Sequence, residues 1–328
     1  MATTEAAAYL GIKVRDVQSL IQLGKLPAVQ SASGQYRISI KDLPQHKAAC
    51  KKIKKNLETS DNYTTQKIFF ESAQEMKDLN DNSVHLAVTS PPYFNAKMYS
   101  GELKNDLGNI HDMDEWFSEI GKVWKEVFRV LQPGRKFFLN IMNLPVRYNN
   151  TFKTLNLVGK STDLCENIGF IFKRDIIWHK TNGVRAHFGT YPYPGGILLN
   201  NMHETILEFQ KPDDKKFSKY AHLTKEIKEK SKIDKDFWLS IKNSDVWLMK
   251  PEKSGDGREH VAPFPYELPY RFIKAYTFIG ETVLDPFCGS GTSLLAAKNL
   301  GRNGIGYEIN SNFKTIIKRR LECLSFPQ

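Results

Sequence analysis

Residues 281–292 read ETVLDPFCGSGT, and the reading of this stretch sets the fold. Val283-Leu284 has the apolar pattern of a short buried strand, with Asp285 at its end. Pro286 to Gly291 form a tight loop in which Gly289 and Gly291 let backbone approach a ligand with no Cβ in the way. Thr292 is placed to cap the helix SLLAAKNLG. A strand, a glycine-bearing turn and a helix N-terminus make a nucleotide-sized pocket, with the Asp285 carboxylate expected at its mouth. Further on, GRNGIGYEIN supplies the next strand, Ile305 to Tyr307, tipped by Glu308. An acidic residue there is suited to ribose hydroxyls. The phosphate-binding spacing G-x-G-x-x-G is absent, so the loop suits a nucleoside without a pyrophosphate.

A second stretch, VTSPPY at 88–93, ends another apolar strand. Pro91 and Pro92 stiffen the loop so that two acceptors, the Ser90 hydroxyl oxygen and the Pro91 carbonyl, converge. Two such acceptors can bind both hydrogens of an amine and push its nitrogen toward sp³ character. Tyr93 offers a face on which a planar ring can stack.

VLDPFCGSGT followed by GRNGIGYEIN resembles the S-adenosyl-L-methionine site of DNA amino-methyltransferases, and VTSPPY resembles their catalytic motif. The catalytic motif comes first, which is the permuted order of the β group. The resemblance covers residues 61–328. It implies a Rossmann-like α/β fold: a mostly parallel seven-stranded sheet with an antiparallel edge hairpin. It assigns the cofactor to Asp285, Pro286, Phe287, Cys288, Gly289, Gly291, Thr292 and Glu308. His260 and Phe264 lie in a segment like the family's HxAPFP, which closes over the cofactor. Glu71 stands where relatives carry Gly-Asp and is placed to touch it as well. Catalysis falls to Ser90, Pro91, Pro92 and Tyr93, with no metal. Cys288 is not a carbon-5 nucleophile, because that chemistry needs Pro-Cys in the catalytic motif. Members with Ser at the first catalytic position mostly modify cytosine N4, and those with Asp or Asn adenine N6. The resemblance therefore favours cytosine N4, with adenine N6 as the alternative.

The rest of the chain is consistent with action on DNA. At 328 residues with 41% hydrophobic content, one large and one small domain are expected. A net charge of +11 points to a polyanionic partner. No apolar run is long enough to span a membrane. The opening MATTEAAAYL lacks a basic-then-apolar signal pattern. Cys50, Cys165, Cys288 and Cys323 are scattered, with neither metal-ligand nor disulfide spacing. A cytoplasmic, nucleoid-associated protein is expected.

Residues 3–10 and GIKVRDVQSLIQLG read as two short helices, and KLPAVQSASGQYRISI as a two-stranded wing around Ser33-Gly34. This resembles the winged helix-turn-helix of excisionases and MerR-type regulators over residues 3–46, and a DNA-binding domain is expected at 1–50. The resemblance implies that Lys13, Arg15, Gln18 and Ser19 face double-stranded DNA, with Tyr36 and Arg37 on the wing. Residues 51–60 read as a basic linker and 61–328 as the methyltransferase domain, with target recognition at 181–250. Lys180 and Arg185 are expected on DNA. AQEMKDL at 73–79 reads as a short helix, Pro133-Gly134 as a turn, and His203-Glu204 as opening the edge hairpin, at least one of the pair being structural. A cognate restriction endonuclease is a candidate partner. A DNA-binding regulator with a secondary methyltransferase domain is the further alternative.

Overall fold

A computed structural model describes residues 64–94, 106–149, 151–181, 194–195, 199–252 and 264–321. It also describes positions 3, 4, 6, 17, 21, 28–30 and 36–38. The chain divides after Tyr63 into two units. In the first, Thr3, Thr4, Ala6, Val17 and Ile21 are helical. Strand β1 (Ala28–Gln30) pairs antiparallel with β2 (Tyr36–Ile38), which carries Tyr36 and Arg37, as expected of a wing. Lys13, Arg15, Gln18, Ser19, Arg185, His260 and the basic linker lie outside the described residues.

The second unit is built on β3 (Gln66–Phe69), β4 (Val84–Thr89), β5 (Leu131–Ile141), β8 (Ile171–Lys180), β9 (His203–Gln210), β10 (Val246–Met249), β11 (Thr282–Asp285) and β12 (Asn303–Tyr307), while β6 (Leu144–Tyr148) and β7 (Thr151–Leu155) form a separate hairpin. The sheet order is β10-β8-β9-β5-β4-β11-β12-β3. Seven strands run parallel, and β9 alone runs against its neighbours β5 and β8. The central strand β4 is covered on both faces, which is why its VHLAVT is almost continuously buried.

Helices α1 (Met113–Val130) and α2 (Leu157–Ile168) cover one face, and α5 (Glu267–Tyr276) and α6 (Thr292–Asn299) the other. Between them in sequence come α3 (Lys225–Lys230) and α4 (Lys235–Lys242), and α7 (Phe313–Leu321) closes the described chain. The alternation of β5 shows the layering. Phe137 packs under Trp124 of α1, and its neighbour Phe138 stacks on Phe272 of α5 at 3.9 Å. No helix among the described residues is long and apolar enough to cross a membrane.

Four local expectations are corrected. The sheet has eight strands rather than seven, because the four residues of β10 add an edge beside β8. Trp247 and Met249 are buried there while Val246 and Leu248 are exposed, an alternation too short to recognise in sequence. β9 lies inside the sheet, not at its edge. Pro133-Gly134 is carried within β5 by a register shift opposite β4, with Gly134 at φ +74°. AQEMKDL makes turns, not a helix. Its backbone is satisfied at long range: Met76 N–H donates to Glu126, and Arg129 donates to the Met76 and Leu79 carbonyls.

Candidate functional site

Parallel strands end at one edge, so Ser90 after β4, Asp285 at the end of β11 and Glu308 after β12 are brought to the same side. β9 runs the other way, so its first residues reach that side too. The two sequence motifs meet directly: the Thr89 hydroxyl donates to Asp285 Oδ1 at 2.6 Å across 196 positions of chain.

Asp285 was expected at the pocket mouth. Instead it is 1% exposed, because it serves as an internal bracket. Besides Thr89 it accepts the Phe287 N–H at 3.1 Å and the Ser293 hydroxyl of α6. No cation balances it among the described residues, and burial pushes its carboxyl up to about 6.

The loop from Pro286 to Gly291 turns through two positive φ values, 49° at Gly289 and 79° at Gly291. Thr292 is not the cap expected of it. Gly291 holds the cap position without a side-chain bond, and Thr292 is the first helical residue. The Thr292 hydroxyl instead accepts from Arg320 of α7, which also donates to the Ser290 carbonyl and hydroxyl. Nothing in the sequence pattern marked Arg320 as the brace of this loop. Cys288 turns inward onto Leu294 and Ile317. A Cβ at Gly306 would come within 2.7 Å of its Sγ, so strand and thiol interlock. Only the backbone of Cys288 is left for a ligand, and burial raises its thiol. Phe287 is half-buried, edge-on to Trp124.

Glu308 accepts the N–H groups of Gly289 (3.0 Å) and Asn310 (2.8 Å). Burial pushes it up to about 7, and Asp106 and Asp285 add repulsion. It forms no ion pair among the described residues. A desolvated carboxylate whose donors here are all neutral matches hydroxyl donors, so the site fits a ribose. Glu71 is exposed just past β3, and Phe264 packs against the α5–α6 layer.

At the catalytic loop, Ser90 Oγ donates to Tyr93 Oη at 3.5 Å, and Tyr93 donates to Glu204 Oε2. Asn140, near the end of β5, donates from Nδ2 to the same carboxylate oxygen and, at 3.4 Å, to Ser90 Oγ. Lys180, expected on DNA, has its Nζ 2.6 Å from Glu204 Oε1 and over the Trp178 ring. It is four-fifths buried because β8 ends against the start of β9. Of the pair His203-Glu204, His203 is exposed beside His179 and Glu204 enters the site. Sequence reasoning missed Asn140 and left open which of His203 and Glu204 enters the site, since strand pairing is what aims Asn140 and Glu204 at Ser90. The only available signal was a polar residue next to the end of an apolar strand.

The geometry can be set beside known proteins. A family model described as DNA methylase matches residues 84–319, and one described as helix-turn-helix domain matches residues 1–51. The chain is 33% identical over 286 residues to the Type II methyltransferase M.MjaI of Methanocaldococcus jannaschii, covering 79% of this chain and 91% of that one. It is 31% identical over 278 residues to the Type II methyltransferase M.MthZI of Methanothermobacter thermautotrophicus, covering 79% and 77%. Among solved structures, TTHA0409 of Thermus thermophilus, described as a DNA modification methylase and complexed with S-adenosyl-L-methionine, superposes with a TM-score of 0.63. It shares 30% identity over 80% of this chain and 96% of that one. The PvuII DNA methyltransferase (cytosine-N4-specific) shares the fold at a TM-score of 0.58 and 18% identity, over 80% and 89%.

Proposed function

Because the chain belongs to the DNA methylase family and uses S-adenosyl-L-methionine, we propose that it methylates the exocyclic N4 of a flipped cytosine at a specific site in double-stranded DNA. The observation that carries this reading is the Thr89–Asp285 bond, which sets the amine-binding loop beside the nucleoside-binding loop. Glu308 and the backbone of residues 286–291 hold the cofactor. When bound, the cofactor supplies an electrophilic methyl group on sulfonium. Ser90 Oγ and the Pro91 carbonyl accept the two amine hydrogens, and Tyr93 stacks on the flipped base. Ser90 supports cytosine over adenine, because a neutral hydroxyl stands where a stronger carboxylate acceptor would otherwise be. Lys13, Arg15, Gln18, Ser19, Tyr36, Arg37 and the 181–250 region grip the duplex, and a cognate restriction endonuclease would share the recognition sequence. Digesting methylated DNA to nucleosides and identifying the product by mass tests the base. N4-methylcytosine is expected, and N6-methyladenine alone would replace it with the adenine reading.

The helix-turn-helix match favours a second role as a regulator. Deleting residues 1–50 separates the two. Promoter binding lost with methylation intact supports regulation, and loss of specific methylation makes the unit part of the substrate grip.

A further inference from the structure

The catalytic pocket backs onto a carboxylate that the reading above leaves unused. Glu204 is 6% exposed and is the second residue of β9, the strand that runs against its neighbours and so starts at the catalytic edge. Its Oε1 faces the Lys180 ammonium, and its Oε2 takes both the Tyr93 hydroxyl and the Asn140 amide. Asn140 is held in one orientation by this contact. Turned over, its carbonyl oxygen would face a carboxylate oxygen, so Oδ1 is left buried without a partner. Every hydrogen in the series then points one way, from Ser90 to Tyr93 to Glu204.

We propose that Glu204 is the positioning residue that turns the Ser90 proton away from the target amine and receives the proton which the methylated amine sheds. The proposal rests on the methyl-transfer reading. A hydroxyl both donates and accepts, whereas an ionised carboxylate only accepts. A serine with its proton uncommitted can present that proton to the amine and stop acting as an acceptor. With the proton held on Tyr93 Oη and one Ser90 lone pair facing the Asn140 amide, the remaining lone pair is left to accept an amine hydrogen, the Pro91 carbonyl taking the other. Glu204 thus supplies, through two hydroxyls, the one-way acceptor character that serine lacks. The proton step balances. An N–H bond of the methylated amine breaks as a new O–H forms on Ser90. The original Ser90 proton passes to Tyr93 Oη, and the Tyr93 proton passes to Glu204 Oε2. Both hydroxyls are restored, and Glu204 holds one proton beside Lys180.

The test is single-turnover methyl transfer to duplex DNA by the full chain, with cofactor and DNA affinities and the melting temperature measured alongside. For Glu204→Gln the transfer rate is expected to fall about a hundredfold, the scale of a lost acid–base partner, while both affinities stay within about twofold. Tyr93→Phe cuts the same series without unpairing Lys180, so it serves even where Glu204→Gln folds poorly. It should show a similar loss, and the double variant should lose no more than either single one. A rate within about twofold of the unmodified chain in Tyr93→Phe and in any folded Glu204→Gln would overturn the proposal. So would losses that multiply in the double variant, or a loss of affinity that accounts for the whole effect. An unmodified chain that methylates no DNA would remove the underlying reading, and the proposal with it.

Discussion

The sheet carries a buried polar cluster at each end of its strands, and the two are balanced differently. At the end away from the catalytic loop, Glu281 is 1% exposed and every one of its oxygens is met. The Arg135 guanidinium binds both, Phe278 N–H donates at 2.8 Å, and His222 Nε2 stands 3.0 Å away. Arg302 nearby donates to the Thr277 hydroxyl and carbonyl. His85 stays neutral, its pKa pushed down to about 3 by burial and the Arg135 charge, and its Nδ1 accepts the Thr282 N–H. His85, His222 and Glu281 have the chemistry of a metal trio, but Arg135 already occupies the carboxylate. At the catalytic end, Asp285 is buried and Glu308 half-buried, both with neutral donors only, and both are raised. At the far end the carboxylate has its counter-charge in place and holds structure together. One desolvated without a counter-charge is held ready for something that arrives later.

The largest expected effect breaks the balanced cluster. Glu281→Ala leaves Arg135 buried and unpaired, and should lower unfolding free energy by on the order of 3–5 kcal/mol in urea titration. Methyl transfer per folded molecule should not change. A rate that fell in step with stability would show that the two ends are not separable. Ser90→Ala should do the reverse. Its transfer rate should drop about a hundredfold, the scale of a lost transition-state hydrogen bond, with stability within roughly 0.5 kcal/mol because Ser90 is only half-buried.

Glu308 sharpens the comparison through pH. Its folded pKa, near 7, lies above the ordinary carboxylate value, and the ionised form is the one that accepts ribose hydroxyls. Cofactor affinity should therefore rise about tenfold from about pH 6 to about pH 8, and Glu308→Gln should flatten that rise in calorimetric titrations. The stability sign is opposite. Asp285 and Glu308 hold protons in the folded unit that the unfolded chain has released, so their contribution is present at acid pH and is lost as pH climbs from about 4 to about 7.

What the sequence disclosed follows from the same contrast. VTSPPY and DPFCGSGT are contiguous strings whose local backbone does the chemistry, so strand, loop and helix could be read in a line. Glu204, Asn140 and Lys180 sit on three different strands, and they meet only because β9 runs backward between β5 and β8. No local pattern encodes that reversal. Asp285 was placed at the mouth because a carboxylate after a strand is normally solvated, and Thr89 and Ser293, which bury it, are an ordinary threonine and serine in sequence. AQEMKDL has helical propensity, but long-range partners on α1, the Glu126 acceptor and the Arg129 donor, hold its backbone in turns.

The smallest effect belongs to a residue at the catalytic end that should behave like one at the other. Cys288 lies in the middle of the cofactor loop, yet its thiol is packed between Gly306, Leu294 and Ile317 and raised by burial. A thiol held protonated is a poor nucleophile. Cys288→Ala removes one buried sulfur and should cost on the order of 1 kcal/mol of stability. The methyl-transfer rate should stay within about twofold, because the loop keeps its Cys288 N–H bond to the Tyr307 carbonyl whatever the side chain. Thiol reagents should label the folded chain slowly at this position. Rapid labelling, or a rate lost with the sulfur, would mean that position in the loop, and not the direction of the side chain, decides which residues at this end take part.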